Sequence, residues 1–278
     1  MNRIVDAIIQ RLADDQGLDI SPYDESFLLK AIQKRLAALG LSALEEYPRY
    51  LTEHGAEALA FYRSLHIGYS DFFRDPLTFA LLEKLILPRL IADKEQSGQN
   101  EIRVWSAGCA SGQEAWSLAM LLDELTGAST PTVSYRIFGT DLSESDLALA
   151  AAGIYTADAV GSITTRRLRD FFSPHGAAFA IHPRLRTHVV FSTYDLLHAQ
   201  SRSPDASIYG DFDLVICCNL LYYYRPSNRT LILNKVFGAL SPTGYFVTGE
   251  AERDIIIQDQ RLGAVMPAAT IFQKRNLP

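Results

Sequence analysis

One stretch limits most strongly what this chain can fold into. Val104–Glu114, VWSAGCASGQE, passes from an apolar run into a turn with glycines at 108 and 112. The residues that follow, Ala115–Leu125, have helical periodicity and no helix breaker. A strand, a glycine turn and a helix in this order are typical of open α/β sheets, where the turn accommodates a nucleotide-like cofactor. The alternative is a glycine needed only to pass from strand to helix.

An acidic residue ends the next predicted strand. Tyr135–Asp141 is rich in β-branched and aromatic residues, and Asp141 would lie at its carboxyl end, where a carboxylate can accept hydrogen bonds from ribose hydroxyls. The interval from Gly112 exceeds the roughly 20 residues typical of dinucleotide folds, and the turn lacks the GxGxxG pattern. Both departures favour S-adenosylmethionine (SAM) over NAD. The alternative for Asp141 is an N-cap of the helix predicted at Ser143–Ala152.

The second half of the chain continues the strand and helix alternation. Phe212–Asn219 is almost continuously apolar, which predicts a central parallel strand. A helix is predicted near 228–240, ended by Ser241–Gly244, and a strand is predicted from Tyr245 to Glu250. This alternation predicts an α/β fold with a doubly wound sheet.

The N-terminal residues are predicted to be helical. Gly40 is predicted to end the second helix, Ser42 with Glu45 has the pattern of a capping box for a third, and Ala56–Leu65 suggests a fourth. Apolar residues recur at helical spacing in the first two helices: Ile4, Val5, Ile8, Ile9 and Leu12, then Phe27, Leu28, Ala31, Ile32, Leu36 and Leu39.

Another helix is predicted from Asp75-Pro76 to about Leu87, with proline at its first position. The polar stretch Ala92–Asn100 is predicted to be a connection leading to the first strand.

Composition and charge exclude several classes of protein. The chain has 278 residues, of which 48% are hydrophobic, enough for one large and one small domain. No apolar run reaches the roughly 18 residues of a membrane span, and the amino terminus lacks a signal-peptide pattern, so a cytoplasmic protein without membrane insertion is expected. The net charge of −6 argues against a nucleic-acid partner.

No metal site is predicted. The six histidines form no HExxH-type cluster, and the three cysteines, at 109, 217 and 218, lack ligand spacing. The adjacent pair lies on an apolar strand, so buried reduced thiols are expected.

Five motifs in order resemble one known family, the CheR-type chemoreceptor (MCP) protein-glutamate O-methyltransferases, over nearly the whole chain. They are Ser70–Pro76, Val104–Glu114, Gly139–Asp141 followed by Ala152–Tyr155, FDLVICCNLLYYY and LSPTGYFVTGE. The resemblance implies a helical substrate-recognition domain over 1–68. It also implies a class I SAM-dependent methyltransferase domain over 69–278, Rossmann-like, with a small antiparallel insertion at about 153–188.

The resemblance also implies which residues act on the donor. Arg74 matches an arginine beside the donor and Tyr223 a tyrosine whose hydroxyl lies near the transferred methyl, so both are predicted to be catalytic; the alternative for Tyr223 is an aromatic lid. Asp141 would hold the ribose, Glu114 the cationic end, and Asp195 with Leu196 the adenine. The full set predicted to bind SAM, and its product S-adenosylhomocysteine (SAH), is Ser70, Arg74, Gly108, Gly112, Glu114, Asp141, Asp195, Leu196, Cys218 and Asn219.

The predicted second helix carries the candidate substrate-recognition residues. Lys30, Lys34 and Arg35 would meet acidic helical segments of a chemoreceptor or receptor-like protein; the alternative is an ordinary solvated face. Ala31 and Ala37 stand where the resemblance leads us to expect arginine.

Other positions depart from the family pattern. The insertion is short, so no tether to a receptor's C-terminal pentapeptide is expected. Cys218 replaces an arginine, Gly68 a polar residue, and Glu250–Arg253 a histidine-serine-glutamate run.

The activity implied is methyl transfer from SAM to glutamate carboxylates, by a monomer, in chemotaxis adaptation or related signalling. Glutamate is ionised at neutral pH, so the reaction needs no strong general base. Two alternatives remain open: a SAM-dependent enzyme with another acceptor, and a non-catalytic module that senses SAM or SAH.

Overall fold

A computed structural model describes residues 3–127, 133–198, 201, 203–207 and 210–275. The chain divides into two compact units: Met1–Ile67 with Leu220–Leu231, and Gly68–Asn219 with Ile232–Pro278. Within the described residues, no helix combines the length and the apolar character needed to cross a membrane.

The first unit is helical, as predicted. Its second helix begins after Asp24, whose carboxylate accepts the Ser26 N–H at 2.9 Å, and ends at Gly40 with φ 70°. Val5, Ile8 and Leu12 of the first helix are buried. The helices are α1 (Arg3–Gln16), α2 (Glu25–Leu39), α3 (Tyr47–Glu53) and α4 (Gly55–Ser64).

The predicted capping box before the third helix is wrong. A 3₁₀ turn, Leu44–Glu46, leads into α3, and the residue that precedes this turn is Ala43, with no side-chain cap. Ser42 therefore lies one residue before the N-cap position and does not cap this turn. Pro48 in the first turn of α3 supplies the start signal instead.

The second unit contains a mixed sheet of seven strands in the order β6-β2-β1-β7-β8-β10-β9. Neighbours from β6 to β8 pair in parallel, whereas β10 is antiparallel to both β8 and β9. The strands of this sheet are β1 (Glu101–Ala107), β2 (Ser134–Asp141), β6 (Val189–Thr193), β7 (Phe212–Cys217), β8 (Leu240–Thr248), β9 (Leu262–Ala264) and β10 (Ile271–Lys274).

The insertion forms a separate antiparallel sheet, as predicted. It comprises β3 (Ile154–Thr156), β4 (Phe172–His175) and β5 (Ala178–Ile181) in the order β3-β5-β4. His175 pairs with Ala178, so only Gly176, with φ 60°, and Ala177 connect β4 to β5. A hairpin closed by two residues leaves no long loop at this point.

The helices of the second unit are α5 (Pro76–Leu81), α6 (Leu87–Ser97), α7 (Gln113–Thr126), α8 (Glu144–Ala152), α9 (Thr165–Phe171), α10 (Pro183–Arg186) and α12 (Arg253–Ile256). A further helix, α11 (Pro226–Ala239), is divided between the two units. It begins two residues earlier than the sequence predicts, with proline in its first turn.

The prediction that Ala92–Asn100 is a connection is wrong up to Ser97. A π-helical turn, Leu82–Ile86, joins α5 directly to α6, which ends at Gly98 with φ 71°. Lys94 is buried because its ammonium pairs with the Asp213 carboxylate of β7 at 2.9 Å. Apolar periodicity could not show that this polar segment packs against the sheet.

Strand β8 also begins earlier than predicted. Leu240 pairs with Phe212, and the pairing resumes at Tyr245 with Leu214 after a shift in register. Ser241–Gly244 therefore lie within an irregular part of the strand and do not separate it from α11.

The order of the parallel strands determines where a ligand crevice is expected in the sheet. β1 lies between β2 and β7, so the chain extends the sheet first on one side of β1 and then on the other. In open α/β sheets, ligands bind outside the carboxyl ends of the strands at such a switch point. The β7 strand is buried along its whole length, which makes this part of the sheet a rigid base.

Candidate functional site

The loop after β1 is shaped by backbone conformations that favour glycine. Gly108 has φ 81° and Gly112 has φ 90°. The N–H groups of Gly108 and Cys109 both donate to the Thr140 carbonyl, at 2.8 and 2.9 Å, so the loop is bound to the end of β2.

Close helix packing also requires a glycine at position 112. A Cβ there would lie 2.7 Å from the Ala150 Cβ of α8. Packing of the turn against α8 is therefore enough to require a glycine at position 112, whether or not a ligand binds there. The predicted place of Gly112 beside the donor stays a prediction.

Asp141 lies at the end of β2 and connects two segments of this edge. Its carboxylate oxygens accept the Ala110 N–H and the Ser143 N–H, both at 2.9 Å. The alternative that Asp141 caps α8 is wrong, because Ser143 occupies the N-cap position and accepts the Asp146 N–H. Asp141 thus fixes the glycine loop beside the strand end where a ribose is expected.

The segment after β6 continues the same edge. The Tyr194 N–H donates to the Asp141 carbonyl at 3.0 Å. Asp195 is exposed and accepts the Leu197 N–H, whereas Leu196 is buried. The predicted contact of these two residues with the adenosine end of the donor stays a prediction.

A pocket of about 320 Å³ lies where β7 and β8 end, beside the first turn of α7. It brings together four of the predicted residues, Arg74, Glu114, Cys218 and Asn219. The other residues that line the pocket are both apolar and polar: Asp75, Pro76, Thr78, Phe79, Leu82, Ile216, Val247, Thr248, Gly249 and Glu250.

Glu114 is the central acid of this pocket. Its carboxylate accepts the Ser106 hydroxyl at 2.6 Å. Burial raises the pKa of Glu114 to about 7, with a further rise from the Glu252 carboxylate, while Ser106 and Arg74 act in the opposite direction. A carboxylate with such a raised pKa favours a ligand that brings positive charge. The amino group and sulfonium of SAM fit this requirement.

Cys218 and Asn219 follow β7 in the same pocket. Burial raises the pKa of the Cys218 thiol well above its usual range, and the Glu114 carboxylate adds to this effect, so the thiol stays protonated. Asn219 has φ 58°, a conformation that Asn tolerates better than most residues. Cys109 and Cys217 are buried and free of disulfides, as expected, whereas Cys218 is half-buried.

Arg74 enters the pocket from the loop before α5. Its guanidinium donates to the Tyr69 carbonyl at 3.3 Å and lies 5.1 Å from the Tyr69 ring centroid. The side chain is exposed. Ser70 lies on the preceding loop, half-buried, and is not among the residues that line the pocket.

The first unit contains the remaining candidates. Tyr223 packs on Phe27 with ring centroids 4.7 Å apart, and its hydroxyl accepts the Tyr222 hydroxyl at 2.8 Å. Lys30 and Lys34 are exposed on α2. Arg35 differs, because its guanidinium forms a two-pronged ion pair with Glu57 of α4, with Nε 2.8 Å from Oε1.

Two family models together match most of the chain. Residues 69–267 match the SAM-binding domain of CheR methyltransferases, and residues 5–65 match the all-alpha domain of the same family. The chain belongs to the CheR methyltransferase family. Residues 69–267 therefore form a SAM-binding domain, and the prediction of a SAM-dependent methyltransferase is confirmed.

Relatives extend over most of the chain. It is 32% identical over 241 residues to chemotaxis protein methyltransferase 1 of Pseudomonas aeruginosa, covering 85% of each chain. It is 28% identical over 256 residues to the chemotaxis protein methyltransferase of Escherichia coli, covering 90% of this chain and 82% of that one. An uncharacterized 104.1 kDa protein of Rhodobacter capsulatus is 30% identical over 91% of this chain, which spans only 26% of that protein.

One residue of this CheR domain was missed by the sequence reasoning. Glu252 is fully buried, and its Oε2 accepts the Asn219 N–H at 2.8 Å, the Thr248 hydroxyl at 3.0 Å and the Gly249 N–H at 3.1 Å. It therefore joins the ends of β7 and β8 at the pocket. The sequence singled out Glu250–Arg253 only as a departure from the family pattern, although an acid just beyond a strand end was the available signal.

Proposed function

We propose that this chain transfers a methyl group from SAM to glutamate side chains of chemoreceptor-like proteins, giving methyl esters and SAH. The observation that carries the proposal is the half-buried acid Glu114, whose pKa is raised to about 7, in a pocket at the strand ends of a CheR SAM-binding domain. The names of the relatives from P. aeruginosa and E. coli support a role in chemotaxis.

The donor is expected to lie across the carboxyl ends of β1, β2, β6 and β7. Asp141 would accept the ribose hydroxyls and Leu196 would contact the adenine, with Asp195 beside it. Glu114 would hold the cationic amino-acid end, where Arg74 would bind the donor carboxylate with a forked pair of hydrogen bonds. Gly108 and Gly112 would leave room beside the loop, and Ser70, Cys218 and Asn219 would complete the contacts.

When bound, SAM supplies an electrophilic methyl group on a positively charged sulfur. A substrate glutamate is already ionised, so no residue of the chain has to remove a proton from it. The apolar walls Phe79, Leu82, Ile216 and Val247 would exclude water, while Arg74 and Glu114 would fix the donor for in-line transfer. Tyr223 is proposed to place its hydroxyl near the methyl group.

Recognition of the acceptor is proposed to depend on α2. The exposed Lys30 and Lys34 offer positive charge to an acidic helix of a receptor. The ion pair with Glu57 argues against an equal role for Arg35, since its guanidinium is already held by a carboxylate.

The absence of a receptor tether, the location, the oligomeric state and the absence of a nucleic-acid partner also belong to the proposal. The two-residue connection between β4 and β5 supports the absence of a C-terminal pentapeptide tether. Titration with such a peptide tests this, and micromolar binding would overturn it. We also propose that the protein acts as a cytoplasmic monomer without a nucleic-acid partner.

The experiment that tests the function is methyl transfer from labelled SAM to the purified cytoplasmic helices of a chemoreceptor. We expect label that mild alkali releases as methanol, because carboxyl methyl esters are base-labile. A matched substrate with the acceptor glutamates changed to alanine is the control. Base-stable label would show another acceptor group, and SAH binding without any transfer would show a sensor.

A further inference from the structure

The loop that carries Arg74 is held in a strained backbone conformation. Phe73 has φ 52°, which is rare for an aromatic residue and costs free energy unless neighbours enforce it. One neighbour is Ser117 of α7, whose hydroxyl oxygen accepts the Phe73 N–H at 3.1 Å. A strained residue directly before Arg74 fixes the direction in which the arginine leaves the loop.

The insertion also holds Phe72, the residue that precedes Phe73. Ser162 donates its hydroxyl to the Phe72 carbonyl at 2.9 Å. The Phe72 ring is fully buried and meets the edges of Tyr155 on β3 and Phe172 on β4, with centroids 4.9 and 5.6 Å apart. Phe72 is therefore anchored by a part of the fold that does not line the pocket.

Arg167 of α9, also in the insertion, covers Phe73 itself. Its guanidinium carbon lies 4.8 Å from the centroid of the Phe73 ring. Two carboxylates hold the guanidinium in place, Glu124 of α7 at 2.8 Å and Glu83 of the π-helical turn at 3.0 Å. With 9% of its surface exposed, Arg167 is a rigid, flat platform for Phe73.

We propose that the insertion, through Arg167, sets the position of Arg74 and thereby the affinity for the donor. Arg167 is a positioning residue, since it contacts Phe73 and not the pocket. This inference rests on the proposed role of Arg74 in donor binding, and it gives the insertion a task inside the enzyme in addition to any contact with a substrate.

A double-mutant cycle with SAH affinity as the readout tests the inference. Arg167→Lys retains a positive charge for Glu83 and Glu124 but loses the planar face under Phe73. We expect it to weaken SAH binding about fivefold when Arg74 is present, and to have no effect in an Arg74→Ala background. Arg166→Lys is the matched control, because this exposed neighbour also pairs with Glu124 but is not stacked on Phe73.

Equal losses from Arg167→Lys in both backgrounds would overturn the inference, because they would show a merely structural role. If Arg167→Lys does not fold, Ser162→Ala takes its place, with a loss of about twofold expected only when Arg74 is present. Absence of SAH binding by the unaltered protein would contradict the proposed function itself. Normal binding that Arg167→Lys leaves unchanged would contradict this inference alone.

Discussion

At the scale of single residues, the acids around the strand ends have different surroundings. Asp141 and Glu252 accept backbone N–H groups and fix the local chain. Glu114 instead accepts the Ser106 hydroxyl, and burial raises its pKa to about 7. In the folded protein without ligand, Glu114 therefore favours its protonated form below this pH.

The raised pKa predicts how donor affinity depends on pH. Below about pH 7 a proton must leave Glu114 before it can pair with the ammonium group of SAH, so affinity should rise toward pH 7 and level off above it. The same proton stabilises the free protein, and this contribution is lost as the pH rises from 4.5 through about 7. Calorimetric titrations between pH 5.5 and 8 measure the affinity, with Glu114→Gln expected to flatten the profile. An unchanged profile in that variant would assign the titration to another group.

A substitution at Tyr223 should affect methyl transfer and SAH binding differently. Tyr223→Phe retains the ring that packs on Phe27 and removes only the hydroxyl. We expect a loss of about 10-fold or more in methyl transfer, with SAH affinity nearly unchanged. Tyr222→Phe, which removes the neighbouring hydroxyl, is the matched control. Equal losses in binding and turnover would contradict the assigned role.

At the scale of elements, the turn between β1 and α7 is the most constrained part of the site. Gly112→Ala would place a methyl group on a residue with φ 90° and against Ala150, and should destabilise the protein by about 2–4 kcal/mol. Gly98→Ala is the control, since Gly98 has φ 71° but open space around it, and should cost only about 1 kcal/mol. Chemical denaturation measures both. Equal losses would show that backbone strain alone, without the contact to α8, explains Gly112.

Helix α2 combines exposed and paired cations. Lys30→Glu with Lys34→Glu should lower the rate of receptor methylation, most clearly at low ionic strength, and leave the free energy of unfolding almost unchanged. Arg35→Ala should instead destabilise the first unit by about 1–3 kcal/mol, because Glu57 loses its partner in a partly buried site with the Tyr47 hydroxyl. Methylation rates and thermal unfolding of these variants distinguish the two roles. A stability loss from the lysine changes would contradict this division.

At the scale of the whole molecule, most of the fold could be predicted from apolar periodicity. The β1 strand, the glycine turn and α7 were predicted because Val104–Leu125 changes its period at two glycines. The helix past Ala92 was missed because Lys94 is buried by an ion pair with Asp213, which lies far away in the sequence. The irregular start of β8 was missed because Pro242 and Gly244 are usual turn residues.

For the site, the sequence could predict which residues lie at strand ends, while their roles toward the donor stay predictions. Strand-end residues such as Asp141 and Asn219 could be read from their position after apolar runs. The support of Arg74 by Arg167 and the three bonds accepted by Glu252 depend on tertiary contacts between distant segments. No local pattern could reveal them.

The central claim is that the carboxyl edge of the sheet binds the donor, and a calorimetric titration of the purified protein with SAH tests it most directly. We predict saturable binding of one SAH per chain, weakened by about 1–3 kcal/mol in Asp141→Ala. Asp141→Asn, which retains one acceptor for the Ala110 or Ser143 N–H, should lose less. Absence of SAH binding by the folded, unaltered protein at millimolar concentration, or full affinity in Asp141→Ala, would contradict the claim.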